Sequence, residues 1–152
     1  MDRTDHKILE ILQQDASLPV SEIAERVNLS QTPCWRRIQK MEKDGIIQRR
    51  VAIVDPDKLG LGLTFFVEIE SRDHSREWSD QFIAFTTALP QVMDVYRMAG
   101  DVDYLLRVVV GSTGEFDKFY QRLIGSVALK NVTSRFAMER IKVSTAYSLL
   151  HI

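Results

Sequence analysis

The sequence predicts an α+β protein with two parts, a helical N-terminal part and a C-terminal part that follows the order βαββαβ. Apolar residues recur at helical spacing through residues 1–43. From residue 63 onward, runs of alternating apolar and polar residues are interrupted by two helical patterns. Two glycines within residues 58–62 mark the expected hinge, so the predicted domains are residues 1–62 and 63–152.

Three short helical patterns make up the N-terminal part. The first begins after Asp2, a good N-cap, and ends near Asp15. The second opens at Pro19, a residue that is tolerated in the first turn of a helix. The third covers residues 31–43 and stops at Gly45, a typical signal for a helix C-terminus. The residues predicted to point inward are Ile8, Leu9, Leu12, Ile23, Ala24, Val27, Cys34, Ile38 and Met41.

The connection between the second and third helices predicts a helix-turn-helix motif over residues 19–43. Asn28 accepts the left-handed backbone of a tight turn, Leu29 fills the core, and Ser30 can cap the third helix. Alternation within residues 46–54 predicts one or two short strands, and the Asp-Pro-Asp sequence that follows predicts a turn. We therefore expect a winged helix-turn-helix domain.

The C-terminal part has the element order of a ferredoxin-like fold, in which two helices cover one face of a four-stranded antiparallel sheet. Strands are predicted at residues 63–70, 92–99, 103–110 and 132–143, and helices at 75–88 and 114–126. The other sheet face would mix apolar residues with charged ones, so we expect it to pack against a second subunit. The charged residues expected there are Glu68, Arg97, Arg107, Arg135 and Glu139.

Charge is distributed unevenly along the chain. The net charge of −1 hides a basic stretch at residues 30–50, where six Lys and Arg against two acids give +4 and leave −5 elsewhere. A basic stripe on an acidic protein suits phosphate binding by one face. An ordinary solvated helix face has the same composition, so charge alone leaves both interpretations open.

Several classes of protein are not expected from this sequence. No apolar run approaches the roughly eighteen residues of a membrane span, and residues 1–5 lead directly into a helix, so we expect a cytoplasmic protein. Cys34 has no disulfide partner, and His6, His74 and His151 are too scattered for a metal site. Neither a nucleophile–base pair nor a phosphate-binding glycine loop is visible, so no enzyme and no cofactor are predicted.

The third helix is predicted to be a recognition helix that lies in the major groove of double-stranded DNA. Gln31, Thr32 and Arg36 are predicted to contact base edges, since they lie towards its N-terminus. Trp35 also points outward, where it either contacts DNA or packs on a neighbouring subunit or on its own helical turn, and Gln39 shares this face. Phosphate contacts are predicted for Arg37, Lys40, Lys43, Arg49 and Arg50.

The segment Gly-Asp-Val-Asp-Tyr at residues 100–104 joins two predicted strands. Its glycine and aspartates suit a hairpin turn because of their backbone tolerance. The same residues also suit a zwitterion site, since exposed amides bind a carboxylate and an acid binds an ammonium group. Composition leaves both interpretations open.

Five motifs occur together along the chain. They are residues 1–5 (MDRTD), 29–38 (LSQTPCWRRI), 44–47 (DGII), 54–56 (VDP) and 100–106 (GDVDYLL). Together they resemble the Lrp/AsnC (feast/famine) transcriptional regulators over essentially the whole length. The resemblance implies a C-terminal amino-acid-sensing domain, homodimers formed through the sheet faces, and assembly into a higher oligomer such as an octamer.

The resemblance also implies an amino-acid effector bound where dimers meet, and regulation of amino-acid metabolism genes. The implied effector residues are Met98, Gly100, Asp101, Asp103, Tyr104, Thr133 and Ser134. Two alternatives stay open. One is an architectural DNA-binding protein that needs no ligand. The other is a tetrapyrrole-binding enzyme relative similar to sirohaem decarboxylases, to which His74 and His151 give little support.

Overall fold

A computed structural model describes residues 1–149 of the chain, which form two compact units. One unit comprises Met1–Ile53 with the stretch from Ile141 onward, and the other comprises Val54–Arg140. The functional division between residues 62 and 63 stays a prediction. The elements are α1 (Arg3–Gln14), α2 (Val20–Arg26), α3 (Gln31–Lys43), β1 (Leu63–Glu70), α4 (Arg76–Thr87), β2 (Val92–Arg97), β3 (Tyr104–Val110), α5 (Thr113–Ser126) and β4 (Asn131–Phe136).

Helix α1 begins with a capping box, which confirms Asp2 as its N-cap. The Asp2 carboxylate accepts hydrogen bonds from the backbone N–H groups of Thr4 and Asp5, at 2.8 and 2.9 Å. The Asp5 side chain in turn accepts from the Asp2 N–H at 2.9 Å. Backbone groups that would otherwise lack partners are satisfied in this way, so the first turn of α1 has a fixed geometry.

The turn between α2 and α3 has the predicted backbone but a different cap. Asn28 adopts φ 57°, the left-handed region, as expected from its residue type. Ser30 occupies the N-cap of α3, yet its side chain makes no capping hydrogen bond, so that prediction is wrong. Pro19 is the N-cap of α2 and not its first helical residue, because its ψ of 148° is extended.

The inner stripes of α1, α2 and α3 form one apolar core. Every residue predicted to point inward is buried, and Ile8, Ile23, Cys34 and Ile38 are at most 1% exposed. Leu29 packs against this core from the turn, as expected. Burial of these side chains away from water supplies the main stabilisation of three helices that are individually short.

The predicted wing strands are absent, since the structure assigns no strand to residues 46–54. Val51 and Ile53 alternate as a strand would, but they are 59% and 73% exposed, and residues 48–54 make no backbone hydrogen bond within residues 1–149. Alternation in a sequence shows which side chains lie on the same side of an extended segment, but it does not supply a neighbouring strand.

The second unit contains a four-stranded antiparallel sheet with the order β2-β3-β1-β4, which confirms the ferredoxin-like prediction. The last strand ends at Phe136, seven residues earlier than expected. Phe136 pairs with Phe65, and the next residue, Ala137, donates to the carbonyl of Thr64 at 2.9 Å. Because β1 begins at Leu63, which would lie opposite residue 138, no pairing strand is left for residues 139–143.

Helices α4 and α5 cover one face of this sheet with an aromatic core. Phe82 and Phe119 are at most 1% exposed, and the Phe82 ring lies 4.7 Å from that of Tyr104 on β3. Trp78 stacks on Phe82 at 5.2 Å, and its indole N–H donates to the carbonyl of Ala128 at 2.9 Å. These contacts fix α4 on the sheet.

The other face of the sheet, which we call the open face, carries apolar residues next to two ion pairs, Arg107–Asp94 and Arg135–Glu68. Phe66 and Tyr96 are 36% and 53% exposed. Pairing register places Glu68, Arg107 and Arg135 on the open face, as expected. It places Arg97 opposite Tyr104, on the helix-covered face, and Glu139 lies beyond the last strand, so these two predictions are wrong.

Candidate nucleic-acid interface and effector site

Helix α3 presents a polar, basic surface opposite its buried stripe. The residues on this surface are exposed, and the Trp35 side chain is 50% exposed, as its phase predicted. The exposed residues of this recognition surface are Gln31, Thr32, Trp35, Arg36, Gln39, Lys40 and Lys43. A helix with one face fixed in a core and the other rich in donors has the form that a major groove accepts.

The predicted phosphate-binding cations differ in how they are held. Lys40 contacts Asp44 at 2.5 Å, and Arg50 contacts Glu42 at 2.8 Å. The Lys40 side chain is 74% exposed, so exchange of Asp44 for a phosphate oxygen is inexpensive. Gln39 also donates to Glu42, at 2.9 Å. Within residues 1–149, Arg36, Lys43 and Arg49 form no ion pair.

Arg37 is held differently from the other cations. One nitrogen, Nη1, lies 2.7 Å from Oδ2 of Asp2 and 2.8 Å from Oδ1 of Asp5. Hydrogen bonds to Asp5 and Asp2 raise the pKa of Arg37, and hydrogen bonds from the Asp5 backbone and from Arg37 lower the pKa of Asp2. Sequence reasoning missed this cluster because Arg37 is more than thirty positions from both acids and no local pattern links it to them.

Cys34 lies in the middle of the inner stripe and is fully buried. Burial raises the pKa of its thiol, which keeps the thiol protonated and unreactive. The side chain therefore acts as a small apolar residue that lets α3 approach α1 and α2.

The segment between β2 and β3 is a six-residue hairpin loop that also exposes polar groups. Gly100 has φ +116°, a conformation that other residues rarely adopt, and the Met98 N–H donates to the Asp103 carbonyl at 2.9 Å. Gly100 and Asp101 are exposed, and Met98 is 41% exposed. The turn interpretation is thus confirmed, and its tip leaves backbone amides and the Asp101 carboxylate accessible.

Two of the predicted effector residues use their side chains inside the second unit. The Asp103 carboxylate accepts from the backbone N–H of Ser71 at 2.7 Å, which ties the turn to the end of β1. The Tyr104 side chain is only 4% exposed, and its hydroxyl shares a 2.5 Å hydrogen bond with Ser79. Tyr104 therefore belongs to the core between sheet and α4.

Thr133 and Ser134 lie on opposite faces of the sheet. Thr133 is opposite Glu68 on the open face, whereas Ser134 is opposite Val67, whose side chain points to the helices. Thr133 is at the same end of the sheet as the turn. However, β1 lies between β3 and β4, so the two are separated by two strand spacings, or about 10 Å. Ser134 lines a separate open cavity of about 330 Å³. The rest of that lining is Phe116, Asp117, Tyr120 and Val132.

Across residues 1–149, no group of three or more His, Cys, Asp or Glu side chains could hold a metal ion. His151, one of the three histidines considered above, lies outside this range. The described helices include none that is long and apolar enough to cross a membrane.

Comparison with protein-family models matches both parts of the chain. Residues 1–48 match the model of a winged helix-turn-helix DNA-binding domain. Residues 64–147 match the model of the Lrp/AsnC ligand binding domain.

Curated proteins similar to this chain are transcriptional regulators. The chain is 49% identical to the DNA-binding transcriptional activator DecR of Escherichia coli K12, over 96% of this chain and 97% of that protein. It is 44% identical to the glutamate uptake regulatory protein of Zymomonas mobilis, over 98% and 91%.

Solved structures give the same result at the level of the whole fold. An AsnC family transcriptional regulator from Agrobacterium tumefaciens matches with a TM-score of 0.95 and 52% identity, over 98% of this chain and 97% of that one. A transcriptional regulator from Neisseria meningitidis, solved as a complex with L-Met, matches with a TM-score of 0.95 and 32% identity, over 99% and 98%.

Proposed function

Because the chain belongs to the Lrp/AsnC family of transcriptional regulators, we propose that it reads a specific DNA sequence through α3 and responds to a small amino acid. The observation that carries the first half is the recognition surface of α3. The cations of this surface are exposed, and the opposite face of α3 is buried in a core. The helix can therefore enter a groove without rearrangement.

Within that surface, roles follow from position. Gln31, Thr32 and Arg36 lie in the first two turns of α3, the end that enters a groove most deeply, and are assigned to base edges. Trp35 joins them through its exposed indole. Lys40, Lys43, Arg49 and Arg50 are assigned to phosphates, because their long side chains are exposed on or just after the last turn of α3.

Replacement of Arg36 and Lys40 by alanine tests this assignment. The probe is a duplex that the wild-type chain selects from a random library. We expect the double variant to lose at least about tenfold in affinity, since a base contact and a phosphate contact are removed. The measurement is a fluorescence anisotropy titration at physiological salt.

A control keeps that test specific. Lys118 on α5 is an exposed cation of the second unit, and Lys118→Ala should bind the duplex as the wild type does. Equal affinity of the wild type and the Arg36→Ala/Lys40→Ala variant for the selected duplex would refute the assignment.

The second half of the proposal concerns the effector. The Lrp/AsnC ligand binding domain match and the L-Met complex of the Neisseria meningitidis relative support a free amino acid as ligand. The exposed turn at residues 98–103 offers backbone amides for a carboxylate and Asp101 for an ammonium group. Asp103 and Tyr104 would contribute only their backbone groups, because their side chains are hydrogen-bonded within the second unit. Thr133 and Ser134 stay in the proposal as residues of a neighbouring strand.

A thermal-shift screen against the twenty L-amino acids tests effector binding. A ligand that binds the folded state raises the melting temperature as its concentration rises. Asp101→Asn should lose that shift, while Asp80→Asn, a change at an exposed aspartate on α4, should keep it. If no amino acid raises the melting temperature, with or without the selected duplex, the chain is a ligand-independent architectural protein instead.

Assembly is part of the proposal. The exposed apolar residues Phe66 and Tyr96 on the open face support a homodimer formed through the sheets, and Val51 and Ile53 add a second apolar stretch. Dimers would join into a higher oligomer such as an octamer. The chain is proposed to act in the cytoplasm, on genes of amino-acid metabolism, without catalysis and without a cofactor.

A further inference from the structure

Arg37 lies on the recognition helix, yet it contacts a different helix. Its Nη1 donates to both Asp2 and Asp5, the two acids in the first turn of α1. Its side chain is 34% exposed, compared with 74% for Lys40 one turn further on. Lys40 pairs with a single acid four residues away on the same surface. Within residues 30–50, Arg37 is therefore the cation whose ion pairs join α3 to another helix.

The acids that hold Arg37 are themselves fixed. Asp2 accepts from two backbone N–H groups and Asp5 accepts from a third, so neither carboxylate is free to rotate toward a new partner. A guanidinium that bridges two such carboxylates ties the first turn of α1 to the second turn of α3 at a defined position.

Release of Arg37 to a phosphate would carry an electrostatic penalty. Asp2 and Asp5 would lose their cation at the moment when a polyanion approaches the adjacent helix. Lys40 has no such constraint, because it can move to a phosphate and leave only one well-exposed acid behind.

From this geometry we infer that Arg37 is a positioning residue, which sets the orientation of the recognition helix against α1 and neutralises Asp2 and Asp5, and does not hold a phosphate. The inference rests on the proposed function and revises the phosphate contact that the sequence predicted for Arg37. It also makes the first turn of α1 part of the apparatus that reads DNA.

The test compares Arg37→Gln, Asp5→Asn and the double variant with the wild type, and uses Lys43→Gln as a matched control on the same helix. The probes are the duplex selected by the full-length wild type and a shuffled duplex of equal composition. Affinity for both is measured over a range of salt concentrations. The ratio of the two affinities reports discrimination, and the slope of log affinity against log salt reports the number of phosphate contacts.

We expect Arg37→Gln and Asp5→Asn each to lower discrimination by about threefold or more, and the double variant to lose no more than either single change, because both break one contact. Their salt slopes should equal that of the wild type. Lys43→Gln should instead lower the slope by about 0.9 and keep the discrimination ratio. Arg37→Lys, which retains a charge, should recover part of the discrimination.

A loss of folded protein alone would weaken both duplexes equally and leave the ratio unchanged, so the ratio separates positioning from a merely structural role. The inference is overturned if Arg37→Gln lowers the salt slope by about 0.9 while Asp5→Asn tightens binding, as a released arginine would. An unchanged discrimination ratio, or additive losses in the double variant, overturns it equally.

Failure of the proposed function gives a different result. In that case the wild type itself selects no duplex. The free energy of unfolding of the same four proteins is then measured without DNA. A coupling between Asp5 and Arg37 would show that the contact orders the unit, and strictly additive effects would count against it.

Discussion

At the scale of single residues, the turn of the helix-turn-helix depends on Asn28. Its φ of 57° lies in the left-handed region, where a side chain with a Cβ meets the following carbonyl oxygen. Asparagine tolerates this conformation better than most residues, and glycine tolerates it fully. The residue type was therefore sufficient to predict the turn from sequence.

Asn28→Ala should destabilise the N-terminal unit by about 1 kcal/mol, since the left-handed conformation costs alanine about 1–2 kcal/mol. Asn28→Gly is the matched control, because it should leave stability within about 0.5 kcal/mol. Urea denaturation followed by circular dichroism measures both. Equal stability of the alanine and glycine variants would show that the turn does not require a positive φ.

At the scale of elements, helices were easier to predict than strands. The bounds of α3 follow from its own residues, its apolar stripe and Gly45, and they match the prediction over residues 31–43. Strands depend on a neighbour. The alternation at residues 46–54 and at 139–143 has no pairing strand within residues 1–149, so the predicted wing strands and the predicted end of the last strand were wrong.

The residues of the candidate site also differ in how far the sequence alone could predict them. Helical phase predicted that Trp35 and Arg36 are exposed, because each side chain's direction follows from its own helix. The Arg37 cluster depends on contacts between distant elements, so the sequence contained no local signal for it. The burial of Tyr104 did have a local signal, because strand alternation places it on the same face as Leu106 and Val108.

Packing of α4 on the sheet gives a prediction with an internal control. Phe82 is 0% exposed, whereas its neighbour Ile83 is 39% exposed on the outer side of the same helix. Phe82→Ala should destabilise the second unit by about 3–5 kcal/mol through lost transfer energy and a cavity. Ile83→Ala should cost less than about 1 kcal/mol.

Unfolding in urea can be followed by the fluorescence of Trp78, which stacks on Phe82 in the native state. Similar losses for the two alanine variants would contradict the assignment of Phe82 to the inner face of α4.

At the scale of the whole molecule, one helix-turn-helix is a half-site reader of modest charge. Six Lys and Arg against two acids over residues 30–50 allow only a few phosphate contacts. Under the proposed function, useful affinity requires a second copy, and the open face of the sheet is the surface proposed to bind it. We propose that α3 reads DNA while the sheet supplies the contact between two copies.

Replacement of Phe66 by glutamate tests both parts of this proposal in one experiment. Phe66 lies between Arg107 and Arg135 on the open face, so a glutamate is tolerated in the monomer but opposes apolar packing between sheets. Ile83→Glu, at an exposed apolar residue of α4, is the control. The measurement is sedimentation of each protein, free and with the selected duplex. We expect that only Phe66→Glu sediments as a lighter species and binds at least about tenfold more weakly. A lighter Phe66→Glu species that binds as tightly as the wild type, or an unchanged mass, would contradict it.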